Sequence, residues 1–488
     1  MSLTVGLDIA RKGLAATAEQ TSVVTRNVTR AGETLATRKT AHLTTIAGGG
    51  AQVVSITRAT NTALFNNLLG ASADSSAQQA IAAALAQLDG VVGDPELQTS
   101  PAALIGKLRD SLTQLAAEPS DAVRAQAVVV TADTLAKTLV EATTQIRDIR
   151  ARADLDMNTA VDRINDQLAK FDEVNREIIK GTLAGVDVTD LLDSRDRILA
   201  TLSEDIGIRT IDRANGDMAI YTDSGVPLYE TRPREITFQR TLFLSPTDVG
   251  NPVYVDGVPI TSDGMGMQIS SGRLTGLAQV RDELTATFQS QLDEIARGLI
   301  STFAEVDQSG GGGPALTGLF SWSGSPNVPA AATIETGLAG IISVNPAYDR
   351  RVGGNPFLIR DGGANGAAYV ANTTGASGFT DYVESFVTAL QSPQAFDTNA
   401  QLGTSKTLGD FAAQSIGWLQ QIRSVAQGEA DYRATLMERT SEALSKETGV
   451  NLDDEMTKLL ELERSYQASS KLVSVIDNMF STFMSALR

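Results

Sequence analysis

The chain has 488 residues, enough at about 150 residues per domain for some three units with cores of their own. Hydrophobic residues make up 42% and charged residues 20%, which excludes wholesale disorder, and no run of about 18 apolar residues occurs that could span a membrane as a helix. A net charge of -18 and an aromatic content of 5% set aside general nucleic-acid binding by phosphate neutralisation or base stacking, and the absence of cysteine excludes disulfides, thiolate metal centres and cysteine nucleophiles.

The first residues, MSLTVGLDIARKGLAA, are interrupted by Asp8, Arg11 and Lys12, so no cleavable Sec-type signal is expected. Apolar residues recur every seven at Leu7, Leu14, Val28 and Leu35, with Thr21 as the polar break. Leu3, Ala10, Thr17, Val24 and Ala31 form the companion seam. Such a narrow stripe suits a coiled-coil seam better than a broad core face. Alanine-rich helices are predicted at 77–92 and 102–117, punctuated by Pro95, Pro101 and Pro119. From about 121 to 180 the pattern is almost continuously helical, with Val161, Ile164, Leu168, Phe171 and Ile178 on one seam and Asn175 placed to fix register. Gly181 and Gly185 end that stretch, and a further helix is predicted at 188–205.

At about 206 the period shifts toward two. Segments at 206–212, 217–222, 234–244 and 253–260 read as short strands, separated by turns at Asn215-Gly216, Ser224-Gly225 and Asp256-Gly257. Helical spacing returns at 274–306, and the run from Ser309 through four glycines to Pro314 breaks it. Residues 314–403 have weak periodicity and read as an irregular, β-containing insertion. A long return helix is predicted at 407–446. At the C-terminus Leu452, Leu459, Tyr466, Val473, Phe480 and Leu487 stand seven apart, with Leu462, Ile476 and Phe483 in the companion seam and Glu455 and Ser469 as its polar positions. Asn451 is the expected cap, with Asp453, Asp454 and Glu455 in a first turn that favours negative charge.

The fold class is therefore mainly α with β-rich inserts: a long helical bundle in which the N- and C-terminal segments pair and the outer segments bracket the inner ones. The expected divisions are a terminal helix at 1–40, a bundle domain at 41–308 with a β-hairpin region at 206–270, the insertion at 309–405, the bundle's return helix at 406–448 and a terminal helix at 449–488. The proposed assembly seam comprises Leu3, Leu7, Leu14, Val24 and Val28 against Leu452, Leu459, Leu462, Tyr466, Val473, Ile476, Phe480 and Phe483.

Catalytic signatures are sparse. There is no Walker-type phosphate loop, and Gly264-Met265-Gly266 starts a dinucleotide fingerprint without completing it. His42 is the one histidine and has no partner motif for nucleophilic catalysis. Asp193 and Asp196 stand at helical spacing beside Arg195 and Arg197, which reads as a solvated, ion-paired face. Asn27-Val28-Thr29 is a bare glycosylation sequon. No catalytic residue, cofactor site or metal site is assigned.

Two segments carry a family resemblance. Asp190-Leu191-Leu192-Asp193-Ser194-Arg195-Asp196-Arg197-Ile198-Leu199, followed by Leu202 and Ile206-Gly207-Ile208, resembles the DLLDxRDxL pattern of the flagellar hook-associated protein 1 family. Gly449-Val450-Asn451-Leu452-Asp453-Asp454-Glu455-Met456, with Leu459 and then Ser465-Tyr466-Gln467-Ala468-Ser469-Ser470-Lys471, is similar to that family's ending, which hook and rod proteins share. Residues 271–322 are also similar, from Ser271-Gly272-Arg273-Leu274 through Arg281-Asp282 to Gly318-Leu319-Phe320. The N-terminal segment departs from the family: Asn27 and Val28 fit, Arg30 stands where an asparagine is usual, and Thr37-Arg38 lacks the preceding tyrosine.

The resemblance implies a structural subunit of the bacterial flagellum at the junction of hook and filament, not an enzyme. It implies export by the flagellar type III route, an export chaperone, and assembly by terminal coiled-coil helices into a tubular core. Its implied partners are copies of itself in a ring, the hook protein and the next junction protein, with no nucleic acid and no membrane insertion. Other readings are another axial protein, such as the second junction protein or a hook-like subunit, and a secreted coiled-coil effector or surface enzyme carried on the insertion.

Overall fold

The computed structural model describes residues 3–45, 49–92, 99–241, 244–246, 248–262, 264 and 266–486. Leu487, Pro95, Met265 and the Leu242-Phe243 part of the predicted 234–244 strand lie outside them. In chain order the elements begin with α1 (Leu3–Arg30), β1 (Lys39–Thr45), β2 (Ala51–Arg58), α2 (Thr62–Val92), α3 (Pro101–Ala117), α4 (Ala122–Ala184) and α5 (Thr189–Asp205). Strands β3 (Ile208–Asp212), β4 (Met218–Thr222), β5 (Pro227–Tyr229), β6 (Ile236–Thr237), β7 (Tyr254–Val255) and β8 (Val258–Pro259) follow. Then come α6 (Arg273–Gln279), a π-helical turn (Val280–Leu284), α7 (Thr285–Thr302), β9 (Phe320–Ser321), β10 (Ser343–Val344), α8 (Leu358–Asp361) and α9 (Asp381–Gln391). The chain closes with β11 (Gln394–Ala395), β12 (Ser405–Lys406), α10 (Leu408–Thr448) and α11 (Leu452–Ala486).

The spine is α4, 63 residues long and so ~95 Å at 1.5 Å per residue. Its start is set by Asp121, whose side chain accepts from the amides of Val123 at 2.7 Å and Arg124 at 3.3 Å. Its end is set by Gly185, which turns left-handed at φ 69° and donates to the carbonyls of Gly181 and Thr182. The predicted stripe of Val161, Ile164, Leu168, Phe171 and Ile178 is buried. Asn175 is buried with it and holds two partners, donating to Asp217 at 2.7 Å and accepting from Arg195 at 3.2 Å. That polar tie fixes where α5 and the β3–β4 turn sit on α4.

Helix α3 packs on the first half of this spine and α5 on its second, α2, α6 and α7 also lie against it, and α10 packs on α2. The crossing of α2 and α6 is close because both sides are small. A Cβ added to Gly276 would lie 2.3 Å from the carbonyl oxygen of Ala77. Gly276→Ala must therefore push the two backbones apart, and an overpacking cost of about 1–3 kcal/mol is expected. A thermal unfolding scan should show a clear fall in Tm, and an unchanged Tm would refute this account of the crossing.

Helix α7 is buried nearly all round, which an amphipathic pattern alone does not require. Its polar residues are paired inside the core: Glu294 with Arg297 at 2.7 Å, and Gln291 with Ser415 at 2.7 Å. Asp293 accepts from the amides of Gly337 and Ala339, each at 2.8 Å. Burial pushes its carboxyl up to about 6, against the opposing pull of those hydrogen bonds.

Several expectations are corrected. The N-terminal helix stops at Arg30, and Leu35 sits in a turn at φ 58°, so it takes no part in the helical seam. The predicted helix at 274–306 runs without interruption from Arg273, carries one π-helical turn within it, and ends earlier, at Thr302. The 234–244 and 253–260 segments form only two-residue strands, joined as the antiparallel sheet β6-β7-β8. The β3–β4 hairpin has the predicted Asn215-Gly216 turn, with both residues at positive φ. Residues 309–405 do not build a core of their own. Leu319, Phe320, Leu338, Tyr348, Ile359 and Phe386 belong to the same apolar cluster as α4 and α7. Phe303 at the end of α7 meets the rings of Phe320 at 5.4 Å and Phe386 at 5.0 Å. Loop-rich sequence lacks periodicity, yet its scattered large apolar residues still seek a common core. That cluster runs from Leu69 to Ala430, and among the described residues it contains nothing from α1 or α11.

Candidate assembly interface

The two terminal helices pack on each other as an antiparallel pair. Two contacts define the register. A Cβ added to Gly6 would lie 3.7 Å from Ile476 Cδ1, and Asn27 Nδ2 donates to Glu455 Oε2 at 3.0 Å. Gly6 and Asn27 are 21 residues apart, as are Glu455 and Ile476, so the seams stay in step over three heptads.

The predicted seam residues divide in this pairing. Val24 is buried, and Leu7, Leu14 and Val28 are half-buried; Leu3 lies in α1, and its side chain is outside the described residues. On α11, Leu462 is buried and Leu459, Val473, Ile476 and Phe480 are half-buried toward α1. Leu452, Tyr466 and Phe483 are exposed instead. Phe483 falls in a second apolar row with Leu472, Val475 and Met479, all exposed. That row has the spacing i, i+3, i+7, i+11 and lies on the flank of α11, about 90° around the helix from the stripe that meets α1.

Asn27 shows how the pair is tied to the rest. It is buried, donates to the Lys39 carbonyl at 2.8 Å, and accepts from the Lys39 amide at 3.0 Å. One side chain thus joins α1, β1 and α11, and the sequon residue is interior. Asn451 caps α11 as predicted, accepting from the Asp453 amide at 3.0 Å. Glu455, expected both as a polar position of the seam and as a first-turn charge, is buried in the seam with Asn27 as its side-chain partner.

Sequence reasoning missed the β1–β2 hairpin. It folds back along α1, and it carries His42 in a cross-strand contact with the Thr57 hydroxyl at 2.8 Å. The hairpin explains the acidic motif on α5. Asp193 is fully buried. It accepts from Thr37 at 2.6 Å and lies 3.2 Å from Arg58, 3.1 Å from Lys39 and 3.5 Å from Arg30. Asp190 pairs with Lys39, Arg30 and Arg26, and Asp196 with Arg58 at 2.5 Å. The solvated face expected beside Arg195 and Arg197 is thus a buried ionic joint. Its cations come from α1 and the hairpin, 135–164 residues away in sequence. Arg195 turns the other way, to Asn175 and the Gly216 carbonyl.

Burial and opposite charge compete at this joint. Burial opposes the Asp190 carboxylate, but the hydrogen bond and charge of Lys39, with Arg30 and Arg26, outweigh it and hold the group below its ordinary range. Burial likewise opposes the Arg58 guanidinium, and Asp196 and Asp193 overcome it and raise its pKa. For Asp196 burial wins and pushes the carboxyl up despite Arg58. Among the described residues no group of three or more potential metal ligands converges. Nor is any helix long and apolar enough to cross a membrane.

The chain is similar to known proteins in sequence and in fold. Residues 85–316 match the family model described as flagellar hook-associated protein FlgK helical domain. Residues 443–487 match that of the flagellar basal body rod FlgEFG protein C-terminal segment. The chain is 20% identical over 423 residues to flagellar hook-associated protein 1 of Bacillus subtilis, covering 82% of this chain and 78% of that one. It is 23% identical over 270 residues to the Escherichia coli protein of the same name, covering 54% and 48%. The solved flagellar hook junction protein FlgK from Burkholderia pseudomallei has the same fold, with a TM-score of 0.56 at 15% identity over 78% of this chain and 99% of that one.

A helical bundle with paired terminal helices, closing on a rod-type C-terminal segment, is the build of a flagellar structural subunit. Within that class, the chain is most specifically similar to the flagellar hook-associated protein FlgK family, through the helical-domain match at 85–316 and the relatives named hook-associated protein 1. The resemblance carried by Asp190–Ile208 and Gly449–Lys471 is confirmed.

Proposed function

We propose that this chain forms the junction between hook and filament, adding to the growing flagellum through its terminal helices. The observation that carries the reading is the exposed apolar row Leu472, Val475, Met479 and Phe483 on α11, beside the face that α1 covers. Water-exposed apolar residues at helical spacing are stabilised by a neighbouring helix, and copies standing around one axis supply it. Leu3, Leu7, Leu14, Val24 and Val28 with Leu459, Leu462, Val473, Ile476 and Phe480 then act within the subunit. Leu452, Tyr466 and Phe483 act between subunits.

In this reading residues 1–40 and 449–488 form the axial part, and 41–308 with 406–448 the bundle outside it. Residues 309–405 face outward. The partners are copies of the chain in a ring, the hook protein on one side and the next junction protein on the other, after type III export with a chaperone to the cell exterior. Electron microscopy of a strain lacking the gene tests it, with the culture medium assayed for flagellin. Hooks without filaments, and filament protein lost to the medium, are expected. Normal filaments would overturn the junction role.

A further inference from the structure

One edge of β2 lies in a crevice of about 830 Å³. Val53 through Arg58 line it without a gap, and successive strand residues point to opposite faces, so a wall that touches all of them is the strand's edge. The register says which backbone groups lie there. The Ala59 amide donates to the Arg38 carbonyl at 2.8 Å. Hydrogen-bonded pairs alternate in an antiparallel ladder, so in the pairs Lys39–Arg58 and Ala41–Ile56 the amides and carbonyls point away from the partner strand. On the β1 side the Asn27 side chain bonds both outward groups of Lys39. On the β2 side the outward amides and carbonyls of Ile56 and Arg58 have no hydrogen-bond partner among the described residues.

A buried cation lines the same crevice. Arg195 is 4% exposed. Its Nη1 donates to Asn175 at 3.2 Å and to the Gly216 carbonyl at 2.6 Å. Its Nε has no hydrogen-bond partner, and Nη2 bonds nothing among the described residues. Nε and Nη2 form the fork with which Arg163 holds Asp205, Arg281 holds Asp282 and Arg297 holds Glu294. Arg195 grips no such carboxylate, and burial lowers its pKa although the charge of Asp196 opposes this. Four acids also line the crevice. Asp187 and Asp196 are engaged by Arg26 and Arg58, and Glu19 and Asp212 are exposed, where water and salt screen them. The buried guanidinium therefore sets the charge that a ligand must bring.

We propose that the crevice takes an extended acidic segment of another polypeptide, which adds to β2 as a third strand and sets a carboxylate on the Nε–Nη2 fork of Arg195. A free strand edge is a row of donors and acceptors, and another extended backbone is what matches its repeat. The stretch from Val53 to Arg58 spans ~20 Å at 3.3 Å per residue, room for about six residues of the added strand. Phe65, Val186, Leu192 and Leu444 give the crevice its apolar lining, which suits β-branched residues on either side of the acid. The proposal does not rest on the junction reading. It needs only the open edge of β2 and the ungripped fork of Arg195.

The probe is a fluorescent hexapeptide alternating valine and threonine, with glutamate in place of one central threonine. Titrated with the full-length chain, it should give a saturable rise in anisotropy and slow amide exchange over residues 51–58. Glutamine in place of the glutamate should weaken binding about tenfold, because a neutral contact replaces a charge-assisted pair. Two further peptides carry N-methyl groups on alternate backbone nitrogens, one set for each edge. The peptide blocked on the edge that meets β2 should bind about tenfold more weakly than the other. Ile56→Pro removes an outward amide and no bond to β1, so the chain should keep its circular dichroism and lose the peptide. No saturable binding by the parent peptide overturns the proposal. So does binding that leaves exchange at 51–58 unchanged, which would place the peptide elsewhere. Equal affinity of the glutamine peptide would refute the role of Arg195, and equal affinity of the two methylated peptides would refute strand addition.

Discussion

Asp193→Ala is expected to detach the terminal helices and the hairpin from the bundle while the bundle itself stays folded. The carboxylate is fully buried between Thr37, Lys39, Arg58 and Arg30. Deleting it leaves cations in a low-dielectric site with too little opposing charge, a loss of about 3–5 kcal/mol. The three cations belong to α1, β1 and β2, so the loss falls on their attachment to α5. Amide hydrogen exchange of residues 39–45 and 51–58 should rise sharply, while the middle of α4 keeps its protection. Asp193→Asn should do much of the same, because an amide keeps the Thr37 contact but not the charge. Removing one stranded cation as well, in Asp193→Ala with Arg58→Leu, should recover part of the loss. A double-mutant cycle measures that coupling. Unchanged exchange at 39–58 in Asp193→Ala would show that the joint does not hold these segments.

This joint marks where sequence reading stops. Long amphipathic runs announce themselves, which is why α4, α5, α10 and α11 stand close to where periodicity puts them. The Asn215-Gly216 turn is equally legible, because only a few residue types accept two successive positive φ values. Asp193 and Asp196 have arginines two and one residues away, so local spacing points to local pairs. Their actual partners come from segments far off in sequence, and no period records that. The β1–β2 hairpin is hidden for a related reason. Its less exposed positions are Lys39, Thr40 and Ala41 on one strand and Ala51, Val53, Ile56 and Arg58 on the other, so the alternation carries little apolar contrast. What holds it is α1 on one side, where a Cβ on Gly50 would lie 3.3 Å from Lys12, and the acids of α5 at its base. Residues 309–405 fail as a separate unit for the opposite reason. Their apolar residues are too scattered to form elements, and they pack onto a core already made by α4 and α7.

Charge placed on α11 should have two different outcomes, depending on the face. Leu459→Asp and Leu462→Asp put a carboxylate against α1, where Leu459 is half-buried and Leu462 buried. Burying an unpaired polar group costs at least about 2 kcal/mol, and an unpaired charge more, so the α1–α11 pair should open in the isolated subunit. Circular dichroism should report less helix, and exchange should rise along both helices. Leu472→Asp and Met479→Asp put the same charge on the exposed flanking row. Both side chains stand about half exposed, and the new carboxylates reach water there, so helix content and exchange should stay close to those of the parent chain. Both pairs of variants should nevertheless fail to restore filaments in the deletion strain. In the first pair the subunit has lost its paired ends; in the second an intact subunit cannot accept its neighbour. Filament growth with Leu472→Asp and Met479→Asp would mean that the flanking row meets water in the assembled flagellum. Assembly would then have to run through the α1 face, with the helix pair seen in the isolated subunit opening to join its neighbours.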